Sequence, residues 1–209
     1  MKKEKMKFSD YVYYYKWHVI ILLFAVLTLV FTLKDCGSNV KDDAVISAIL
    51  SNRYGIESAE QISGALEDAG VIPDTNGDGE KKVWVNMTVL PYETTSEEAQ
   101  VAYQKANISL MTDESVIFLL DEDILEIYEE KEYFTDIGKL AESLGVTDVY
   151  IAEDGKVLGI SLKGNEFLES KGIVTDTLFA CYREFGDSIN EKTAKKIEIA
   201  NGILEFIVR

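Results

Sequence analysis

The sequence predicts an α/β protein: a single N-terminal transmembrane helix followed by a mostly parallel sheet with helices on both faces, plus a β-hairpin and a C-terminal helix. Three observations predict it. An apolar run without Asp, Glu, Lys, Arg, Gly or Pro extends from Trp17 to Leu33. Beyond it, apolar segments of strand length alternate three times with segments of helical period, the pattern of parallel strands joined by crossovers. Later, two short apolar segments flank Asp154-Gly155, a hairpin turn signal.

The N-terminal run divides the chain. At a rise of about 1.5 Å per residue it covers most of a hydrocarbon core roughly 30 Å thick. Up to Lys34, six lysines face two acids; the rest of the chain carries 15 Lys and Arg against 35 Asp and Glu. Basic residues favour the cytoplasmic side. Residues 1–16 therefore read as a cytoplasmic basic and aromatic stub, with Tyr11, Tyr13, Tyr14 and Tyr15 at the headgroups. Residues 17–34 read as the transmembrane helix, 35–41 as a linker and 42–209 as one extracytoplasmic α/β domain. A cleaved signal peptide has the same basic-then-apolar order, but Lys34-Asp35-Cys36 supplies no small-x-small site. A lipoprotein signal ending at Cys36 would carry small residues where Lys34 and Asp35 stand.

The domain reads element by element. Residues 44–50 form an apolar run of strand length. Ser58-Ala-Glu-Gln61 has capping-box spacing, and Ile62, Ala65, Leu66 and Ala69 follow at helical period until Gly70. Residues 83–90 alternate, with Val83, Val85, Met87 and Val89 on one face. A second helix starts at Ser96 and sets Ala99, Tyr103, Ala106 and Leu110 on one stripe. Residues 116–120 are apolar throughout, as a strand covered on both faces must be. Ile124, Leu125 and Tyr128 mark a third helix, residues 178–182 a further strand, and Ile197, Ala200, Leu204 and Ile207 a final helix from about Glu191.

Several segments resemble bacterial extracellular solute-binding proteins. Residues 106–121, ANISLMTDESVIFLLD, followed by Glu132-Tyr-Phe-Thr-Asp-Ile137, are similar to that family's helix, buried strand and "gxfxDL" segment. Gly155-Lys-Val-Leu-Gly-Ile-Ser-Leu162 is similar to its "GKxYGIPL" hairpin, and residues 187–194 with the helix after them resemble its closing segment. Tyr14-Tyr-Lys-Trp-His18 looks like the anchor of membrane proteins from anaerobic Gram-positive bacteria. The resemblance implies a type 2 periplasmic-binding-protein-like fold acting by binding. Such proteins are two-lobed clamps, and here too few residues separate the hairpin from the closing helix to build a second lobe. The chain looks like one jaw, which cannot close around a solute and exclude water.

Composition excludes some chemistry and leaves a few candidates. The only histidine is His18 at the membrane boundary, so the external part holds no Ser-His-Asp triad, Cys-His pair or histidine metal ligand. Its acidic balance argues against nucleic acid, which needs a basic surface. Cys36 and Cys181 read as two free thiols, Cys181 among apolar neighbours. Arg53, with Tyr54 and Tyr92, sits after a strand, where open α/β sheets bind ligands. Asp74, Asn76 and Asp78 occupy positions 1, 3 and 5 of a calcium-type loop, with Gly79 at the turn. Position 12 is Val85, so calcium binding there would be weak, and a solvated Asn/Asp/Gly turn explains the same residues. Glu126, Glu129, Glu130 and Glu132, near Asp121 and Asp123, read as a solvated helix face rather than a carboxylate pair for catalysis.

The expectation is a non-catalytic, membrane-tethered binding or accessory module of the bacterial cell envelope, partnered by an envelope protein or transporter component. The alternative is a small-solute receptor for a transporter or sensor, with ligand at Arg53 and Tyr92. An envelope hydrolase is a third reading, disfavoured by the missing histidines.

Overall fold

The computed structural model describes residues 8–37, 42–55, 57–92, 95–112, 114–185 and 189–208. Residues 1–7 of the basic stub, linker residues 38–41 and Asp187 and Ser188 of the closing segment lie outside them, as do the side chains of Tyr11, Tyr13, Tyr14, Lys34 and Cys36. The chain forms two compact units, Met1–Val40 and Lys41–Arg209. In the first, α1 (Phe8–Gly37) is one unbroken helix carrying the whole Trp17 to Leu33 run. Its described side chains, those of residues 15–28 and 30, are all exposed and are apolar on every side from Val19 to Leu27. The hydroxyl of Thr28 donates to the Phe24 carbonyl at 2.8 Å, which satisfies it without water. Among the described residues, no helix is long and apolar enough to cross a membrane.

The second unit contains β1 (Ala44–Ser51), α2 (Glu57–Ala69), β2 (Val83–Leu90), α3 (Glu97–Thr112), β3 (Ile117–Asp121) and α4 (Glu122–Tyr128). After a 3₁₀ turn come α5 (Gly138–Leu144), β4 (Val149–Ile151), β5 (Val157–Ser161), α6 (Glu166–Ser170), β6 (Leu178–Tyr182) and α7 (Glu191–Val208). One six-stranded sheet runs in the order β2-β1-β3-β6-β5-β4.

The expected mostly parallel sheet is corrected here. Only β1 with β2 and β1 with β3 pair parallel; the β3–β6, β6–β5 and β5–β4 pairs are antiparallel. The physical reason lies in the connections. The 13-residue α2 and 16-residue α3 are long enough to carry the chain back along the sheet, so the next strand starts from the same end. Between β5 and β6 the only helix, α6, has five residues, and the chain turns back antiparallel instead.

Helices do cover both faces. On one, Ile46, Leu50 and Leu119 pack with Leu66 of α2 and Leu204 of α7. On the other, Ile49, Phe118 and Leu120 pack with Leu110 of α3 and Leu125 of α4. This double cover is why β1 and β3 are apolar at successive positions. The one polar side chain amid β1, Ser47, is fully buried and bonds Ser115 at 2.8 Å. Two helix starts differ in kind. Ser96 caps α3, accepting from the Ala99 amide at 3.1 Å. The Ser58 box does not cap α2, because that helix begins at Glu57 and Ser58 is buried within its first turn.

Candidate functional site

The carboxyl ends of β1, β2 and β3 meet the start of β6, and a ring of polar side chains closes that end of the sheet. Its centre is Asp121, the last residue of β3 and fully buried. One carboxylate oxygen accepts from the Ser51 amide at 2.7 Å, and the other from the Thr177 hydroxyl at 3.1 Å. Arg53, in the turn after β1, donates through NH1 to Thr177 Oγ1 at 3.1 Å and through Nε to the Tyr92 hydroxyl at 3.2 Å. Tyr92 in turn donates to Ser51 Oγ at 3.4 Å, which completes the circuit. The guanidinium also lies 3.7 Å from Asp123, an exposed pair that adds little stability. The hydrogen bond that Arg53 donates to Tyr92 keeps the guanidinium charged, and the hydrogen bonds with Ser51 and Arg53 draw the Tyr92 phenol below its usual range.

The structure thus brings Arg53 and Tyr92 together, and buries Tyr54 against the same ring, where its phenol meets Asp121 and Thr177. Tyr54 is 5% exposed in the core, its hydroxyl donating to the Val174 carbonyl at 3.0 Å, and burial raises its phenol well above its ordinary value. Sequence reasoning missed Asp121, Ser51 and Thr177 as members of the ring. The available signal was the polar residue that closes each otherwise apolar strand, Ser51 on β1 and Asp121 on β3.

The Asp74 to Gly79 loop spends its oxygens on its own backbone. Asp74 accepts from the Gly77 amide at 2.6 Å and the Gly79 amide at 3.0 Å. Asn76 accepts from Asp78, and Asp78 from Glu80, at 2.8 and 2.9 Å. The loop is tied down by Asp43, which accepts from the Thr75 amide and hydroxyl, the Asn76 amide and the Lys82 amide. Among the described residues, no group of three or more His, Cys, Asp and Glu is placed to hold a metal ion.

Elsewhere, Glu126, Glu130 and Glu132 are exposed, while Glu129 accepts from the Tyr150 hydroxyl at 2.7 Å. Burial raises the Cys181 thiol far above its usual range, which leaves it an inert core residue. One cavity of about 530 Å³ lies between β1, β3 and α7, with Ile46, Val116 and Ile203 in its lining and Lys192 and Lys196 converging there on Glu114. A second of about 630 Å³ is lined by Glu132, Asp136, Asp154 and Glu184. Arg53 and Tyr92 line neither of these, nor any of three further cavities among the described residues.

No family model matches the chain. No curated protein matches it either. Among solved structures, the chain is similar to the ABC substrate-binding protein Lmo0181 from Listeria monocytogenes, solved in complex with cycloalternan. That match has a TM-score of 0.36 and 14% identity, over 56% of this chain and 28% of that one. It is also similar to an extracellular solute-binding protein of family 1 from Alicyclobacillus acidocaldarius, with a TM-score of 0.34 and 14% identity, over 59% of this chain and 29% of that one. The chain spans less than a third of the length of each, and at such scores neither likeness bears on what it does.

Proposed function

We propose that this chain is a membrane-tethered, extracytoplasmic module that acts by binding another protein of the cell envelope and catalyses no reaction. The tether rests on the Trp17 to Leu33 run and the charge asymmetry around it. The observation that carries the binding role is an apolar stripe on the outer side of α3. Val101, Ile108 and Met111 stand 60%, 60% and 64% exposed there, on a helix whose opposite side supplies the core residues Ala99, Ala106 and Leu110. An acidic domain gains nothing from such a stripe in water, and exposed apolar patches of this kind mark interaction sites.

The receptor reading keeps one observation in its favour, the meeting of Arg53 and Tyr92 at the carboxyl ends of parallel strands. Against it, Arg53 is spent on the chain's own groups and lines none of the five cavities described above. Two experiments separate the readings. A photo-crosslinking side chain at Ile108, in intact cells, should give one discrete adduct that Met111→Glu abolishes, and protease added outside should remove the domain and spare the N-terminal stub. A thermal-shift screen with sugars, amino acids and short peptides at millimolar concentration should show less than about 2 kcal/mol of stabilisation. A submicromolar small-molecule ligand lost in Arg53→Ala refutes the partner reading; a domain protected from outside protease refutes the topology.

A further inference from the structure

We infer that two copies of this chain pair antiparallel along their β2 edges, with Met87 on the two-fold axis. This goes beyond the binding role of α3, because it uses a different surface and a different kind of contact. β2 is an eight-residue edge strand with β1 as its only neighbour in the sheet among the described residues. The amide and carbonyl of Lys82 face β1: the carbonyl accepts from Asp43 and Ala44, and the amide donates to Asp43. Backbone groups alternate sides along a strand, so those of Val83, Val85, Met87 and Val89 point to the open edge. The Val83 amide confirms the direction, since it donates outward to the Glu67 carboxylate at 2.9 Å. That leaves Val85, Met87 and Val89 presenting amides and carbonyls with no backbone partner among the described residues.

Edge strands are ordinarily guarded by charge, proline, a bulge or brevity. Residues 83–90 contain no charge and no proline, and their pairing with β1 runs without a register shift. A second copy fits this edge better than an arbitrary strand because β2 is complementary to itself. With Met87 opposite Met87, Val85 faces Val89 of the second copy and Trp84, 57% exposed, faces Leu90. No like charges meet, which matters in a chain of net charge −16. Of the two lysines that precede β2, Lys82 is paired with Glu80 at 3.0 Å, and Glu97 and Glu98 open the helix that follows it. An antiparallel pair sets Lys81 of each copy toward the Glu97 and Glu98 end of the other.

The register makes the pairing testable by cysteine cross-linking of the full chain in membranes, on a Cys36→Ser background; Cys181 is buried and does not interfere. Opposed residues of a hydrogen-bonded antiparallel pair lie about 5.5 Å apart between Cα atoms, within disulfide range. Met87→Cys should therefore give a disulfide-linked dimer under mild oxidation. Val85→Cys alone and Val89→Cys alone should not, since each would lie about 13 Å from its own copy, but the two mixed should link. Met87→Pro removes an outward amide without touching the β1 ladder, and Met87→Lys sets two like charges on the axis. Either should weaken dimerisation about tenfold or more in nanodisc mass measurements, with circular dichroism unchanged. If Met87→Pro does not fold, Met87→Lys decides. A monomeric full chain, equal cross-linking at all three positions, or Met87→Cys linking to a different protein overturns the pairing. Each of these results leaves the α3 cross-link, and so the proposed function, standing or falling on its own.

Discussion

Asp43 offers a sharp test of how the domain holds its first two strands together. Its carboxylate, 7% exposed, accepts from the Thr75 amide at 2.6 Å, the Thr75 hydroxyl at 2.7 Å, the Lys82 amide at 3.1 Å and the Asn76 amide at 3.3 Å. One side chain thereby fixes both the entry to β2 and the loop before it. Asp43→Ala strands these donors. Those of the exposed loop regain water, whereas the Lys82 amide, packed beside β1, does not do so fully. At about 1–3 kcal/mol for a buried donor left unpaired, the net cost should be about 3 kcal/mol. For a domain of this size that lowers the melting temperature by roughly 6–12 °C. Burial pushes the Asp43 carboxyl up, but the hydrogen bonds from Thr75, Lys82 and Asn76 outweigh it and hold the group below its ordinary range. The sign of the pH effect follows. A depressed folded value means the stabilisation is complete above the unfolded value of about 3.9 and is lost as pH falls through the lower folded value. Urea denaturation of residues 41–209, a compact unit with its own core, should show wild type and Asp43→Ala well separated at pH 7 and converging below about pH 4. A variant within about 0.5 kcal/mol of wild type at pH 7, or a gap constant down to pH 3, refutes the reasoning.

Gly159→Ala should cost about 1–3 kcal/mol in the same assay, because its Cβ would sit 3.2 Å from Cys181 Sγ, Leu125 Cδ2 and Phe179 Cβ; Gly202→Ala, with nothing within 4 Å on an exposed helix position, should gain about 0.5–1 kcal/mol. Asp121→Ala should cost about 2–4 kcal/mol by leaving the Ser51 amide and Thr177 hydroxyl unpaired, while Arg53→Ala should cost less than about 1 kcal/mol; the reverse order would show that the arginine and not the aspartate organises the ring. Calorimetric titration with calcium should show nothing tighter than about millimolar, since Asp74, Asn76 and Asp78 already serve loop amides; micromolar binding abolished by Asp74→Ala would make the loop a cation site.

The strands were legible because each leaves a plain mark. β2 and β6 fall on the expected residues, and β4 and β5 flank Asp154-Gly155 as anticipated, since Asp-Gly turns and apolar strand patterns have strong local chemistry. Strand direction left no such mark. β6 is buried at every position, as a central parallel strand would be, so its apolar pattern carries no sign of its antiparallel direction. The helices α5 and α6 went unread for a related reason. Each spans two turns or fewer and buries one residue, Ala141 and Leu168, so neither shows a helical period.

The candidate site was half legible, and the missing half changes its meaning. Topology alone placed Arg53 and Tyr92 at the ends of strands, and the fold brings them together at 3.2 Å. Their partners lie far off in sequence, Asp121 and Thr177, and only tertiary pairing of β3 with β6 joins these to β1. Once Asp121 is included, the arginine reads differently. A guanidinium waiting for an anionic ligand would stand beside a cavity with donors to spare, whereas Arg53 closes a ring around a carboxylate that the chain itself supplies. Such a ring satisfies the buried Asp121 and fastens β1, β2, β3 and β6 at one end. A sheet end fastened in this way is a platform, and the recognition proposed here falls to the groups the fold leaves unmatched: the apolar stripe of α3 and the open edge of β2.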